Sequence, residues 1–505
     1  MKRSSREGGA RPRTPSRRAQ PDLPTRETVR IQSLAGGGAG VARLANGTVV
    51  FVRGAAVGEL VEAEVTTGSK PAHGRVLRVV EASPERVEPP CPHLAACGGC
   101  DWMHLSPRAQ EQGHAAVVLA AIAHALSMGA PLGAAPSSAP KPPPSLPGCA
   151  LPPITVHAAR TPLAYRTRAR LFLKTDRHRV RVGYRAAGSH ELAPVDACAV
   201  LGAAIAPVVG DLSAVLAGAR GDGDASIARG HGGLPVVSLE WRGELAAATW
   251  AAIDERVKRG AWAGARVILH GVGQPATFGD PRPVLAGADG APLVIAPGGF
   301  AQPSEAGAAR LALRADELAR IEPAGPEGRP QGTGARRPRH VVELFAGSGT
   351  LSVLLAREAA SFVAVEIEAA AAAAARENLK ARGLPGKVVT ADADAFAIPP
   401  GTSVVVLDPP RGGAPGAAQA IAASTARVVV YVACDPSTLA RDLGVLTRAH
   451  LVITHLETFE LFPQTSHVET VVRLERVRSL DGGSAPKPPA EGSQNPRAEG
   501  STPKP

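Results

Sequence analysis

From residue 340 to residue 477 short apolar runs alternate with helical stretches, a pattern that narrows the fold more than any other feature of the chain. HVVELF, FVAVE, VVVLD and RVVVYVAC read as strands buried on both faces. Buried strands separated by helices predict a parallel, doubly wound α/β sheet of the Rossmann-like kind. In such sheets ligands sit outside the carboxyl ends of the strands. A chain of 505 residues exceeds one such unit, so two or three domains are expected.

The remainder divides by composition. Residues 28–88 contain VRIQSL, VARL, TVVFV, LVEAEV and GRVLRVV, which read as five short strands of a small β-barrel. Asn46-Gly47 is a strong hairpin turn between two of them. Lys70, His73 and Arg75 put positive charge near its surface, and small barrels often carry oligonucleotide-binding faces. A purely structural barrel is the alternative. Residues 89–320 read as a central α+β domain with a cysteine cluster and a Pro-rich linker at 130–150. Residues 321–339 read as a flexible insertion, and 1–27 and 478–505 as disordered tails.

The net charge of +11 suits a polyanionic partner, through phosphate contacts and counterion release. Residues 1–27 carry eight Lys/Arg and three acids, so only about half of that charge lies on folded segments. Aromatic residues make up 3% of the chain, so stacking platforms are few. No apolar run approaches the roughly 20 residues of a membrane span, and no apolar stretch follows the basic N-terminus. A cytoplasmic, monomeric protein is expected.

The first ligand site opens where HVVELF ends. In Glu343-Leu344-Phe345-Ala346-Gly347-Ser348-Gly349-Thr350, Gly347 and Gly349 let the backbone approach a ligand in a strand-to-helix turn. Nineteen residues past Gly347, at the end of the next strand, Glu366 can bind two ribose hydroxyls. Leu351 and Ser352 follow Thr350, so this is not a dinucleotide fingerprint, and S-adenosylmethionine is the expected ligand. Asp408 closes another apolar strand in VVVLDPPRGG and can hold the cofactor amine or a target base. Asp394 is a candidate acceptor for the adenine amine, with Asp392 and a helix-capping role as competitors.

Cys434 follows the strand RVVVYVA at the same edge. Asp435 and Ser437 look like helix N-cap residues, and a thiol beside a helix N-terminus is expected to have a lowered pKa. A buried structural cysteine is the alternative. A thiolate there suits one chemistry in particular. C5 of uracil is a poor nucleophile until a thiolate adds to C6, after which a base must remove the C5 proton. Glu469 in FPQTSHVE is the candidate base, and His467 can orient it, contact phosphate or merely pack.

Of the six cysteines, Cys91, Cys97 and Cys100 cluster, and Cys198 can return as a fourth ligand. Four thiolates suit an iron–sulfur cluster or a structural zinc, and spacing does not separate them. Cys149, in the Pro-rich linker, is expected to be a bystander.

CPHLAACGGCDWMHL, YRTRARL, GFAQPS, ELFAGSGTL, DPPRGG, ACDPSTLARDL and FPQTSHVE together resemble the RNA 5-methyluridine methyltransferase family. They look most like its bacterial 23S ribosomal RNA branch, with a TRAM barrel and an iron–sulfur cluster. The resemblance spans roughly residues 28–477. It implies cofactor contacts at Gln302, Phe345, Thr350, Glu366, Asp394 and Asp408, Cys434 as nucleophile and Glu469 as base. It further implies a [4Fe–4S] cluster on Cys91, Cys97, Cys100 and Cys198, and RNA, ribosomal rather than transfer, as partner. Family members often carry Asn where Ser304 stands and Gln where Met103 stands.

Three rival readings make different demands. A cytosine-C5 methyltransferase places a cysteine just after the Pro of the fourth motif, where this chain has Pro409-Pro410-Arg411. An amino-methylating enzyme wants an aromatic at Arg411 and no Cys434. A non-catalytic RNA-binding or folding factor would lack the nucleophile or the base, and both are present. Trp102, Tyr165, Arg166 and Tyr184 are candidate RNA contacts or core residues.

Overall fold

The computed structural model describes residues 23–128, 151–176, 179–321 and 339–477. The linker with Cys149, residues 322–338, and the tails up to 22 and from 478 lie outside the described residues.

The chain opens with a strongly curved six-stranded sheet: β1 (Thr25–Arg30), β2 (Ser33–Leu34), β3 (Gly40–Arg43), β4 (Val49–Arg53), β5 (Leu60–Thr66) and β6 (Ala72–Glu81). Their order is β1-β5-β6-β4-β3-β2. Val29, Val50, Val52, Val61 and Val65 fill the interior. Asn46 closes the β3–β4 turn by accepting the Thr48 amide at 3.0 Å, and Gly47 takes φ +82°. Two expectations need correction. VRIQSL is not one strand, because it ends β1 and supplies β2. The tail placed at 1–27 also overlaps β1. The segment TRETVR buries only Val29, so its pairing with β5 leaves no hydrophobic alternation to read.

After the cysteine segment, α1 (Pro107–Met128) and β7 (Ile154–His157) come next. The central sheet is built from β8 (Arg168–Asp176), β9 (Arg179–Arg185), β10 (Leu192–Pro194), β11 (Arg220–Arg229), β12 (Pro235–Glu244), β13 (Gly264–Leu269) and β14 (Ala276–Gly279). Helix α2 (Val208–Val215) precedes β11, and α3 (Ala247–Lys258) follows β12. The strand order is β10-β9-β8-β11-β12-β13-β14. Leu171, Leu173, Leu212, Trp241, Ile253 and Trp262 form its core. A small hairpin, β15 (Val284–Ala286) with β16 (Pro292–Val294), leads to α4 (Glu305–Leu318).

The last unit runs β17 (Arg339–Leu344), α5 (Ser352–Leu355), β18 (Ala359–Glu366), α6 (Ala369–Ala381), β19 (Lys387–Thr390), β20 (Val404–Leu407), α7 (Pro415–Ala423), β21 (Val428–Ala433), α8 (Pro436–Arg448), β22 (Leu451–Phe459) and β23 (Glu469–Arg476). The sheet order is β19-β18-β17-β20-β21-β23-β22-β7. The first five strands are parallel, and β23 is antiparallel to both its neighbours. Both faces are covered. Val342, Val405, Val429 and Tyr431 pack under α7 and α8, while Val341, Val404, Val406 and Val430 pack with α4 and α6. This explains the unbroken apolar strands.

The boundaries expected at 89–320 and 340–477 do not match the packing. Helix α1 lies against α8 and puts Val118 and Ile122 into the core of the last sheet. Strand β7 extends the sheet in parallel with β22, and α4 covers the opposite face with Leu311, Ala315 and Leu318. A reading by contiguous segments has no access to such docking. Among the described residues no helix is long and apolar enough to cross a membrane.

Candidate active site

The order β19-β18-β17-β20-β21 reverses direction between β17 and β20, and side chains converge outside the carboxyl ends there. The turn after β17 contains three left-handed residues, Phe345 (φ +61°), Gly347 (φ +55°) and Gly349 (φ +88°). A Cβ on Gly349 would lie 3.3 Å from Ala375 Cα of α6, so glycine meets both a conformational and a packing demand. Glu366 is buried at the end of β18. Its Oε2 accepts the Gly347 amide at 2.7 Å and its Oε1 the Glu368 amide at 2.8 Å. The acid thus ties the glycine turn to the next strand. Thr350 is half-buried in the same turn.

Asp394 anchors a helix start. Its carboxylate accepts the Ala417 amide at 2.8 Å and anchors the start of α7. Asp392 caps the turn by accepting the Asp394 amide at 2.9 Å. Asp392 thus caps the turn, and Asp394 uses one carboxylate oxygen at α7, which leaves the other for a ligand.

The antiparallel register explains how the nucleophile and base candidates meet. Ala433 of β21 opposes Thr470 of β23, so Cys434 and Glu469, each one residue further out, share one end of the pair. Burial is the largest influence on the Cys434 thiol and pushes it up to about 12. The Glu469 and Asp408 carboxyls push the same way, and Arg411 opposes them. The expected lowering beside a helix N-terminus is thus reversed. Asp435 does cap α8, but by accepting the Ser437 and Thr438 amides at 2.9 Å each, and its own charge disfavours a neighbouring thiolate. Ser437 is a capped residue, not the cap.

Glu469 is 2% exposed, and burial raises its carboxyl well above the usual range, with Asp408 adding to the effect. Burial also lifts Asp408 to about 7. Gln302 is 7% exposed, and its side-chain amide acts on the Glu469 carboxyl in the lowering direction, placing it beside the candidate base. Gln302 Oε1 and Glu469 Oε2 are both buried without a hydrogen-bond partner. These two oxygens are free to meet a ligand.

Two residues here escaped the sequence reading. Glu343 is buried at the end of β17, accepts from Ser352 Oγ at 2.5 Å, and is lifted to about 8 by burial and by Asp408. Its position closing the first apolar strand was the available signal. Arg411 follows the DPP turn, which α8 holds through Thr438 Oγ1 to Arg411 O (3.1 Å) and Arg441 Nη2 to Gly412 O (2.9 Å). Arg411 Nη2 donates to His467 Nε2 at 3.3 Å, so His467 meets Arg411 and Gln302 meets Glu469. Burial and Arg411 lower the His467 pKa, in keeping with a neutral ring that accepts.

Removing the Glu469 charge takes away one influence that disfavours the thiolate. Cys434 in Glu469→Gln is therefore expected to alkylate several-fold faster with iodoacetamide near pH 8.5, and in Arg411→Ala several-fold slower. Mass spectrometry of the Cys434 peptide reads this, and the opposite ranking of the two variants would contradict the site's electrostatics.

Away from this site, Cys91, Cys97, Cys100 and Cys198 line one cavity of about 420 Å³, counting its open mouth, with Met103, Arg166 and Tyr184. Cys97 Sγ accepts the Gly99 amide at 3.3 Å, and Tyr184 donates to Cys198 Sγ at 3.7 Å. Among the described residues no three His, Cys, Asp or Glu side chains converge on a single-ion site. The four candidate RNA contacts are accounted for here. Trp102 is fully buried, Tyr165 is buried and donates to Pro463 O at 3.1 Å, and Arg166 and Tyr184 wall the cavity. Ser304, where relatives often carry Asn, caps α4 by accepting the Gly307 amide at 3.1 Å, a role either residue fills.

Comparisons with known proteins agree with this geometry. The tRNA (Uracil-5-)-methyltransferase family matches residues 399–477, and the TRAM domain family matches residues 25–77. The 23S rRNA (uracil(1939)-C(5))-methyltransferase RlmD of Halomonas elongata is 32% identical, covering 89% of this chain and 89% of that protein. The enzyme of the same name from Pseudomonas putida is 32% identical, covering 90% and 95%. An uncharacterized RNA methyltransferase of Gloeobacter violaceus is 31% identical, covering 89% and 96%. Among solved structures, Pyrococcus abyssi tRNA (uracil-54, C5)-methyltransferase with S-adenosyl-L-homocysteine aligns with TM-score 0.62. It covers 88% of this chain and 99% of its own at 19% identity, a likeness of fold.

Proposed function

The chain belongs to the RNA (uracil-C5)-methyltransferase family and carries its TRAM domain, and from that premise we propose that it methylates a uridine of 23S ribosomal RNA through Cys434 and Glu469. The observation that carries the mechanism is the β21–β23 register, which brings thiol and buried carboxyl to one end of the strand pair.

The Cys434 thiolate adds to C6 of the uracil, forming an S–C6 bond while the C5=C6 electron pair moves toward O4. C5 thereby becomes nucleophilic and takes a methyl group. Glu469 then removes the C5 proton, the pair returns to C5=C6, and the S–C6 bond breaks to release Cys434. S-adenosylmethionine supplies the methyl group as an activated sulfonium and leaves as S-adenosylhomocysteine. Glu366 and the Phe345–Thr350 turn hold it, with Gly347 and Gly349 giving close backbone approach. Asp408 would hold the cofactor amine or the target base, and Gln302 would offer its free Oε1 to a donor on either. Arg411 supports the thiolate. Asp394 acts through the α7 terminus it anchors.

Cys91, Cys97, Cys100 and Cys198 hold a [4Fe–4S] cluster in this reading. Four thiols that line one cavity suit either a [4Fe–4S] cluster or a structural zinc, and the family resemblance favours the cluster. Its role is structural, since the catalytic steps use other residues. We read the enzyme as a cytoplasmic monomer.

Tritium release tests the proposal. RNA labelled at uridine C5 in cells lacking the gene is mixed with the purified protein and S-adenosylmethionine. Release of tritium, with the product mapping to 23S ribosomal RNA, is the expected result. Release only from transfer RNA would move the substrate, and no release from either would end the uridine-C5 reading.

A further inference from the structure

The loop from Phe462 to His467 leads into Glu469, yet what holds it comes from elsewhere in the chain. At its centre Gln464 is buried at φ +73°. A non-glycine residue in that region is strained and persists only when its surroundings over-determine it. They do so here. Gln464 O accepts the Asp101 and Trp102 amides at 3.2 and 3.0 Å. Its amide donates to Gln110 Oε1 at 2.8 Å, and its side-chain Oε1 accepts from Gln110 Nε2 at 3.1 Å. Two residues on, Asp101 takes the Ser466 amide on Oδ1 at 2.7 Å and the Ser466 hydroxyl on Oδ2 at 2.6 Å. Trp102 Nε1 donates to Gly38 O of the N-terminal sheet at 2.9 Å, so three parts of the chain meet at this point.

We propose that Asp101 is a positioning residue for the reaction: with Gln110 behind it, it locks the Gln464–Ser466 turn so that Glu469 sits against Cys434 and Gln302. It acts through the loop and does not touch the uracil. The proposal rests on Glu469 being the base. Asp101 directly follows Cys100, so one short segment both walls the cysteine cavity and clamps the catalytic loop. Strain stored at Gln464 and released by losing the clamp would displace the carboxyl, not the nucleophile, which α8 and β21 hold independently.

A displaced base leaves adduct formation intact and slows its resolution, a signature that general loss of structure does not produce. The experiment follows tritium release and denaturant-resistant protein–RNA adduct for wild type, Asp101→Ala, Asp101→Asn, Ser466→Ala and Glu469→Gln, on RNA from cells lacking the gene. Asp101→Ala is expected to lower kcat by roughly 10- to 100-fold with KM for RNA changed less than about threefold. The adduct fraction at steady state is expected to rise. Asp101→Asn, which keeps an acceptor for the Ser466 amide, is expected to recover most of the rate. Ser466→Ala removes only the hydroxyl contact and is expected to show a smaller shift of the same kind, and it is read in place of Asp101→Ala if that variant does not fold. Slower turnover without adduct accumulation, while Glu469→Gln does accumulate it, would overturn the positioning role alone. No accumulation in Glu469→Gln would instead overturn the base assignment on which it rests.

Discussion

Replacing Cys434 with alanine is expected to abolish methyl transfer, by at least about 10⁴-fold in turnover, while RNA and cofactor binding stay within a few-fold. Losing the nucleophile of a covalent mechanism removes the whole route, and losses of that order are common for such residues. No other thiol can substitute. Among the described residues the remaining cysteines all line the separate cavity. Serine keeps the shape but not the acidity, so Cys434→Ser is expected to behave like alanine. Methyl incorporation and trapping with 5-fluorouridine RNA provide the two readings. A variant that keeps more than about one percent of wild-type turnover would remove Cys434 from the mechanism.

Glu469→Gln is expected to separate the two halves of the reaction. Turnover falls by roughly 10²- to 10⁴-fold, the usual range for a lost general base. Cys434 still adds to C6 and C5 still takes its methyl group, so a denaturant-resistant protein–RNA complex accumulates. The pH dependence follows from the direction of the Glu469 shift. Burial and Asp408 hold its carboxyl protonated to higher pH than usual, and only the carboxylate can take the C5 proton. The wild-type rate of adduct resolution therefore rises with pH through that raised value and then levels. In Glu469→Gln this limb disappears. A resolution rate with the same pH profile in both proteins would show that another group takes the proton.

The parallel sheet was legible because VVVL and VVVYVA are buried on both faces and declare it by composition alone. The glycine turn, Glu366 and Cys434 were legible for a related reason. Each lies within a residue or two of a strand end, and strand ends in such sheets face ligands. The interior strands of the N-terminal sheet showed their alternation, whereas β1 did not, because pairing at an edge stabilises TRETVR without burying more than Val29.

The residues whose meaning changed are those whose environment comes from far along the chain. Asp101 meets Ser466, and Gln110 meets Gln464, across more than 350 positions. Trp102 and Tyr165, plausible as RNA contacts, are covered by segments no local pattern connects to them. Cys434 shows the limit most directly. Its neighbour Asp435 and the following helix were visible and suggested an acidic thiol, but burial and the carboxyls of Glu469 and Asp408 act in the opposite direction.

By itself the sequence determined what is local: the elements, the glycine turn, and the thiol and acids at strand ends. Only the tertiary structure decided the β21–β23 register that brings Cys434 and Glu469 to one end, the docking of α1, β7 and α4 onto the last sheet, and the hydrogen bonds from Asp101 to the loop before Glu469. The physical reason is range. Backbone propensity and hydrophobic period act over a few residues, whereas desolvation, charge coupling and side-chain hydrogen bonds depend on what the rest of the chain brings alongside.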